Sequence, residues 1–280
     1  MPDHLVIPAV SGEAAPLAGA ASDFVRFDQV SVTYGAGTPQ ATLALTPTDL
    51  GFARGDFVCI VGPSGCGKTT LMQTLAGFLK PTGGAVSVGD VPVTGPGPDR
   101  GVVFQHAALF PWKTVAGNAG FGPAMRGLPR AERRARVEYW LNSVGLWEFR
   151  NRYPYQLSGG MQQRLAIARA LANEPDILLM DEPFGALDAL TREKMQEELH
   201  AVWKRRGMTV LFITHSVDEA VYLGTEVVVM SQRPGCILQR IPAPFARLAG
   251  ERDIRRIKAG SDFVSLRERV LSLIWGEGGG

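Results

Sequence analysis

At 280 residues with 45% apolar side chains, the chain is long enough for one large domain or two small ones. It carries enough apolar material for a substantial core, which excludes a disordered protein. Its 29 basic and 27 acidic residues nearly cancel, to a formal +2, and this excludes the strongly basic footprint of a general nucleic-acid binder.

The first 22 residues lack an early Lys/Arg cluster and are broken by Pro8 and Pro16, so they read as a flexible tail and not as a secretory signal. The cysteines Cys59, Cys66 and Cys236 are few and unevenly spaced, which fits a reducing compartment. No stretch approaches the ~18 to 20 uninterrupted apolar residues of a membrane helix, so any work at a membrane is expected to run through partners. From Phe24 onwards, Val25, Phe27, Val30, Val32 and Tyr34 recur near period two, with a slip at Asp28 and Gln29, predicting an antiparallel start. Residues 57–61 are instead continuously apolar, as are 177–180, 210–213 and 227–230. Strands buried on both faces read this way, which predicts a parallel sheet covered by helices. Residues 106–164 have another character: Pro129 can open a helix that Gly145 closes, and a helical subdomain is expected. A helix over 187–206 carries Leu190, Met195, Leu199 and Val202 on its apolar side and ends at Gly207. After Gly250 the chain turns polar and offers one more helix over 263–275. Phe263, Val264, Val270, Leu271 and Ile274 are expected to pack on the main domain, with Arg267, Glu268 and Arg269 in water.

The chemistry begins at GPSGCGKTT, residues 62–70, which matches GxxxxGK[ST] after an apolar strand and before the helical pattern Leu71, Met72, Leu75, Phe78. The candidates for nucleotide binding are Gly62, Pro63, Ser64, Gly65, Cys66, Gly67, Lys68, Thr69 and Thr70. Backbone N–H groups of such a loop turn towards phosphates, Lys68 supplies a point charge to the β and γ oxygens, and the Thr69 hydroxyl suits Mg²⁺. The bland alternative is a glycine-rich turn with a surface lysine. In ILLMDEP, Asp181 and Glu182 stand at the C-terminal end of a buried strand, the edge where open parallel sheets bind ligands. Asp181 can hold Mg²⁺ and Glu182 can polarise an attacking water. Thr214 and His215 follow the run 210–213 and so belong on the same edge, within reach of a γ-phosphate. Gln105, after a strand over 101–104, is the candidate link between Mg²⁺ or water and the helical subdomain. A second glycine-rich helix start, Ser158, Gly159 and Gly160 in YQLSGGMQQR, offers another anion site.

With these residues placed, the chain resembles the nucleotide-binding subunit of ABC transporters over roughly residues 24–235. The phosphate loop, Gln105, LSGG at 157–160, Asp181 with Glu182, ALD at 186–188 and His215 occur in the family's order. The resemblance implies an α/β fold, a P-loop NTPase mixed-sheet core with an antiparallel β subdomain and an inserted α-helical subdomain. The ATPase domain would cover 23–245, with a helical subdomain at about 106–164 and a C-terminal helical extension and tail from 246 to 280. It also implies ATP and Mg²⁺ as cofactors, and catalytic roles for Glu182, His215, Gln105 and Lys68. Thr69, Gln105 and Asp181 would lie at the metal. Two copies would sandwich two ATP, with Ser158, Gly159 and Gly160 of one copy facing ATP on the other's phosphate loop, Asp188 crossing the same interface, and Tyr34 stacking on adenine. Met161 and Ser216 depart from the usual glutamine and aspartate, and neither removes a catalytic group.

The segment HAALFPWKTVAGNAGFG, residues 106–122, is similar to the stretch after the glutamine in the nitrate, sulfonate and taurine importer group. There Leu109, Phe110, Pro111 and Trp112 would help form a groove for a coupling helix of a membrane permease; the alternative places Phe110 and Trp112 in the core. The wider runs 153–175 and 181–199 resemble taurine importer ATPases. This implies taurine or a related sulfonate as cargo, then nitrate, cyanate or bicarbonate. It also implies permease subunits, a periplasmic or extracellular solute-binding protein as an indirect partner, no nucleic acid, and a peripheral place on the cytoplasmic face of the cell membrane. A soluble ABC protein acting on DNA or the ribosome usually has two nucleotide units or a long coiled coil, and a P-loop kinase would lack LSGG. The arginines 126, 130, 133, 134 and 136, interleaved with Glu132 and Glu138, read as a solvated helix face.

Overall fold

The computed structural model describes residues 23–248 and 253–276, so the expected N-terminal tail lies outside the described residues. The chain runs β1 (Val25–Tyr34), β2 (Thr42–Phe52), β3 (Phe57–Val61), α1 (Lys68–Ala76), β4 (Gly83–Val88), β5 (Val91–Pro92) and β6 (Arg100–Val103). A helical stretch follows: α2 (Val115–Ala119), α3 (Phe121–Met125), α4 (Arg130–Ser143) and α5 (Gly159–Ala172). Alternation then resumes with β7 (Ile177–Asp181), α6 (Ala189–Arg206), β8 (Thr209–Ile213), α7 (Val217–Leu223), β9 (Glu226–Met230) and β10 (Ile237–Pro242). The described C-terminal part holds α8 (Phe245–Leu248), α9 (Ile254–Lys258) and α10 (Ser261–Gly276).

Two sheets organise these elements. A six-stranded sheet has the order β10-β9-β3-β8-β7-β6, parallel throughout except for β10, and a four-stranded antiparallel sheet has the order β2-β1-β4-β5. The continuous apolar runs are explained by burial on both faces. Val58, Ile60, Leu179, Leu211 and Val228 point to a core shared with α1 and the small sheet, while Phe57, Cys59, Met180, Phe212 and Val227 point to a core shared with α5, α6 and α7. The slip at Asp28 and Gln29 is a bulge: the β1–β2 register shifts between Phe27 and Val30, and Gln29 takes a φ of 47° with its N–H donating to Asp49.

Several expectations need correction. Leu190 is 71% exposed; one turn back from Met195 falls at 191 and 192, so Leu190 is off the buried face, which instead includes Gln196 and His200. Helix α1 stops before Phe78, because Gly77 takes a left-handed C-cap conformation, and Phe78 stacks on Phe104 at 5.8 Å. The strand before Gln105 begins one residue early and ends at Val103. Trp112 is 71% exposed, so it is not a core residue. Arg267 is partly exposed and pairs at the surface with its neighbour Glu268 at 2.8 Å.

The C-terminal helix packs as expected. Phe263 and Val270 are fully buried, α10 lies against α7 and β9, and Phe263 meets Phe245 edge-on at 5.2 Å.

His200 is buried between Trp203 and Tyr222, and burial pulls its pKa down to about 4, opposed by a bond to the Ala246 backbone and aided by Lys204. A folded-state value depressed below the unfolded one stabilises fully above pH ~6.5 and loses that contribution as pH falls towards the folded value. The stability of the wild type should therefore decline between about pH 6.5 and 4 by up to ~1.4 kcal/mol per unit from this group. In His200→Phe, which keeps a ring against Trp203, urea midpoints should fall less steeply over that window; parallel curves would contradict the assignment.

Candidate functional site

The polar residues gather where the parallel strands end. Strand β3 delivers the loop 62–67, and Gly67 closes it with a φ of 93°, a left-handed conformation that costs a side-chain-bearing residue roughly 1–2 kcal/mol. The buried Lys68 turns its ammonium back over the loop, donating to the carbonyls of Gly62 and Pro63 at 2.8 Å each, with the Cys66 sulfur 3.5 Å away. Ser64 and Gly65 are exposed at the loop's crest. The next two residues tie the loop to its surroundings: Thr69 donates to Asp181 Oδ2 at 2.8 Å, and the Thr70 and Tyr34 hydroxyls lie 3.1 Å apart. The first contact reaches the large sheet and the second the antiparallel sheet.

Asp181 ends β7 and is almost wholly buried. Burial pushes its carboxyl above the ordinary range; the Thr69 hydrogen bond opposes the rise, Glu182 adds to it, and Lys68 opposes it. Glu182 continues the strand's pairing through its N–H to Ile213 O at 2.9 Å, yet has a φ of 45°, a conformation that carries strain for a glutamate. That twist turns its carboxylate to a meeting point of three strand ends. Gln105, beyond β6, donates to Glu182 Oε2 at 3.1 Å, and His215 Nδ1, beyond β8, lies 3.4 Å from the same oxygen.

Ser158, Gly159 and Gly160 stand apart: among the described residues no hydrogen bond or ion pair joins them to the 62–70 loop. Ser158 caps α5, its hydroxyl accepting from Met161 N–H, and all three are at least partly exposed. Asp188 caps α6, and hydrogen bonds from Thr191 hold its carboxyl below the usual carboxylate range. These two helix starts adjoin, since a Cβ on Gly160 would stand 3.3 Å from Ala186 O. Helix α5 also grips the Gln105 loop. Gln163 donates to Phe104 O at 3.1 Å, and Arg169 to Ala108 O at 2.7 Å and Ala107 O at 3.3 Å.

Leu109, Phe110, Pro111 and Trp112 form a stiff loop on the helical side. The Phe110 ring lies 4.5 Å from Phe121 and 5.7 Å from Trp112. Asn118, fully buried, accepts from Phe110 N–H and faces the carbonyls of Phe110, Lys113 and Thr114 at 3.0–3.1 Å. An open groove of about 500 Å³ between the sheet and the helices is lined by Phe78, Phe104, Phe110, Phe121 and Met125. Sequence reasoning missed Asn118 and Arg169; a polar residue within the small-residue run AGNAG was the available signal for the first. Of the arginines read as a solvated face, Arg136 pairs with Glu132 and Glu174, Arg126 bonds Asn173 O, and the remaining three line a hollow with Lys113 and Arg150.

The sequence profile of the ABC transporter family matches residues 45–185. The chain is 50% identical over 240 residues to the taurine import ATP-binding protein TauB of Pelagibacter ubique, covering 85% of this chain and 91% of that one. It is 49% identical over 232 residues to its namesake from Roseobacter denitrificans, covering 83% and 87%. Among solved structures, it is similar to a dimeric post-hydrolysis state of an ATP-binding cassette bound to ADP and Pi. The TM-score is 0.71 and the identity 34%, with 78% of this chain and 98% of that one covered. Among the described residues no helix is long and apolar enough to cross a membrane.

The left-handed Glu182 makes a stability prediction independent of any reaction. Replacing it by glycine relieves the strain and should raise unfolding free energy by about 1 kcal/mol, net of glycine's greater unfolded-state freedom. A lower urea midpoint for Glu182→Gly would mean that the contacts to Gln105 and His215 outweigh the strain.

Proposed function

The chain belongs to the ABC transporter family as an ATP-binding cassette, and from that premise we propose that it is the ATP-hydrolysing subunit of an importer for taurine or a related sulfonate. The observation that carries the hydrolytic part is the convergence of Gln105 and His215 on one oxygen of Glu182, beside the 62–70 loop. Gly62 to Thr70 would cradle the ATP phosphates, with Tyr34 against the base. Lys68 exchanges its two carbonyl partners for β- and γ-phosphate oxygens, a swap that keeps the ammonium satisfied throughout. Glu182 takes a proton from the water that attacks the γ-phosphorus, while the bond from that phosphorus to the β–γ bridging oxygen breaks and ADP leaves. Gln105 and His215 hold the Glu182 carboxylate in place, and His215 also faces the γ-phosphate.

Mg²⁺ fits the neighbouring oxygens. Thr69 and Asp181 already meet at 2.8 Å as hard donors, and an ion that takes its other ligands from phosphates and water needs no larger protein cage. Thr69 and Asp181 would hold it, with Gln105 at the edge of the set; when bound, it neutralises charge on the β- and γ-oxygens.

The separation of Ser158, Gly159 and Gly160 from their own chain's loop supports a sandwich of two copies. In it, the capped start of α5 meets the ATP held by the other copy, and Asp188 lies beside the same seam. The apolar groove beside the loop 109–112 is a fitting seat for a coupling helix of a separate permease. These partners set the protein on the cytoplasmic face of the cell membrane, with a solute-binding protein as an indirect partner. The cargo rests on the likeness to taurine import ATP-binding proteins, since the cassette itself never touches the solute.

Two measurements follow. Purified Glu182→Gln should double its mass by light scattering when ATP is added and stay monomeric without it; a variant that binds ATP and remains monomeric at high concentration counts against the sandwich. In a host deleted for the gene, wild type but not Lys68→Ala should restore uptake of labelled taurine. Restoration of nitrate or simple alkanesulfonate uptake instead would move the cargo, and no change in any of the three would end the sulfonate reading.

A further inference from the structure

One buried carboxylate outside this site has an unusual set of partners. Glu219, in α7, is 6% exposed, and burying a carboxylate is costly unless its oxygens are held. Both are. Thr214, itself buried and adjacent in sequence to His215, donates its hydroxyl to Glu219 Oε2 at 2.6 Å. Buried Gln196 of α6 donates to Glu219 Oε1 at 3.2 Å, and Arg192 Nε stands 3.8 Å from the same oxygen. The Thr214 hydroxyl also accepts from Ser216 N–H at 3.0 Å, so the two residues flanking His215 are fixed to each other and to Glu219. Arg192 reaches the other way, donating to Leu187 O at 3.0 Å, next to Asp188. From the C-terminal segment, Lys258 donates to Gln196 Oε1 at 3.4 Å.

We propose that Glu219 is a positioning residue for hydrolysis: it fixes the backbone that carries His215 and joins it, through Arg192, to the segment that carries Asp188, with Lys258 of α9 as an outlying brace. The inference rests on the reading of Glu182 and His215 as hydrolytic residues. The end of β8 and α6 are thereby tied to a single side chain, and α9 is joined to it through Gln196. A carboxylate is suited to this because it accepts from two donors and pairs with a cation at once, where an apolar residue of the same size would leave Thr214 and Gln196 without a shared acceptor and Arg192 without its counter-charge.

The test is a double-mutant cycle on the full chain, following ATP hydrolysis in Glu219→Gln, Thr214→Val and His215→Ala and in the two pairs that include His215→Ala. Glu219→Gln and Thr214→Val should each lower kcat about tenfold, the scale of one charge-assisted hydrogen bond, with KM for ATP unchanged. Neither should lower the residual rate of His215→Ala further, because the residue they position is gone. Lys258→Met should lower kcat less, in the same direction. A merely structural Glu219 would cost the same factor in both backgrounds or would raise KM, and either result overturns the proposal. Thr214→Val, which deletes a single hydroxyl, decides the matter where Glu219→Gln fails to fold. Wild type that hydrolyses ATP while Glu182→Gln does not secures the underlying reading separately; a wild type with no hydrolysis removes both.

Discussion

Burial of the six-stranded sheet on both faces governs where polar chemistry can occur in this molecule. With apolar side chains directed into two cores, the parallel strands present charge where they begin or end. The parallel arrangement puts several of those ends on one edge. Gln105, Asp181, Glu182, Thr214 and His215 come from three adjacent strands, β6, β7 and β8, and the 62–67 loop from β3 beside them. Their proximity follows from strand order and needs no special loop design. What the loops add is aim, most visibly in Glu182, whose left-handed backbone turns one carboxylate towards neighbours on both sides.

Some of the bonds that join the two sheets and the helices converge on the same edge. Thr69 and Thr70, adjacent on α1, reach Asp181 in one direction and Tyr34 in the other. Gln163 and Arg169 join α5 to the backbone around Gln105, so the helix that begins at Ser158 and the glutamine that touches Glu182 share one rigid connection. A shift of the helical subdomain therefore has a direct route to the carboxylate, with each link a hydrogen bond between named atoms.

Much of this edge was legible in the sequence because its signals are local. A continuous apolar run followed at once by a charged or hydroxyl residue is enough to place Asp181, Glu182, Thr214 and His215 together, and the glycine spacing of residues 62–69 identifies the loop. Elements whose residues serve long-range partners were harder to read. Strand β2 contains Pro47 and alternating threonines, which mask its period; it is tolerated because β2 is an edge strand. Leu190 is apolar yet stands off the buried face of α6, which Gln196 and His200 help to form, so apolar character alone misleads where helical position decides. Glu219 left no local trace at all, since its partners lie on α6 and at the end of β8.

Tyr34 shares its hydroxyl with Thr70 and stands partly exposed, so under the proposed function its ring face is the broad surface it would turn to a base. A π-face supports any purine and reads no donor or acceptor pattern, whereas a loop of N–H groups with a lysine reads phosphates closely. A site divided in this way would be demanding about the triphosphate and indifferent to the heterocycle. On that proposal, adenine nucleotides would be favoured chiefly by their abundance around the protein, and guanosine triphosphate would serve as a less common fuel.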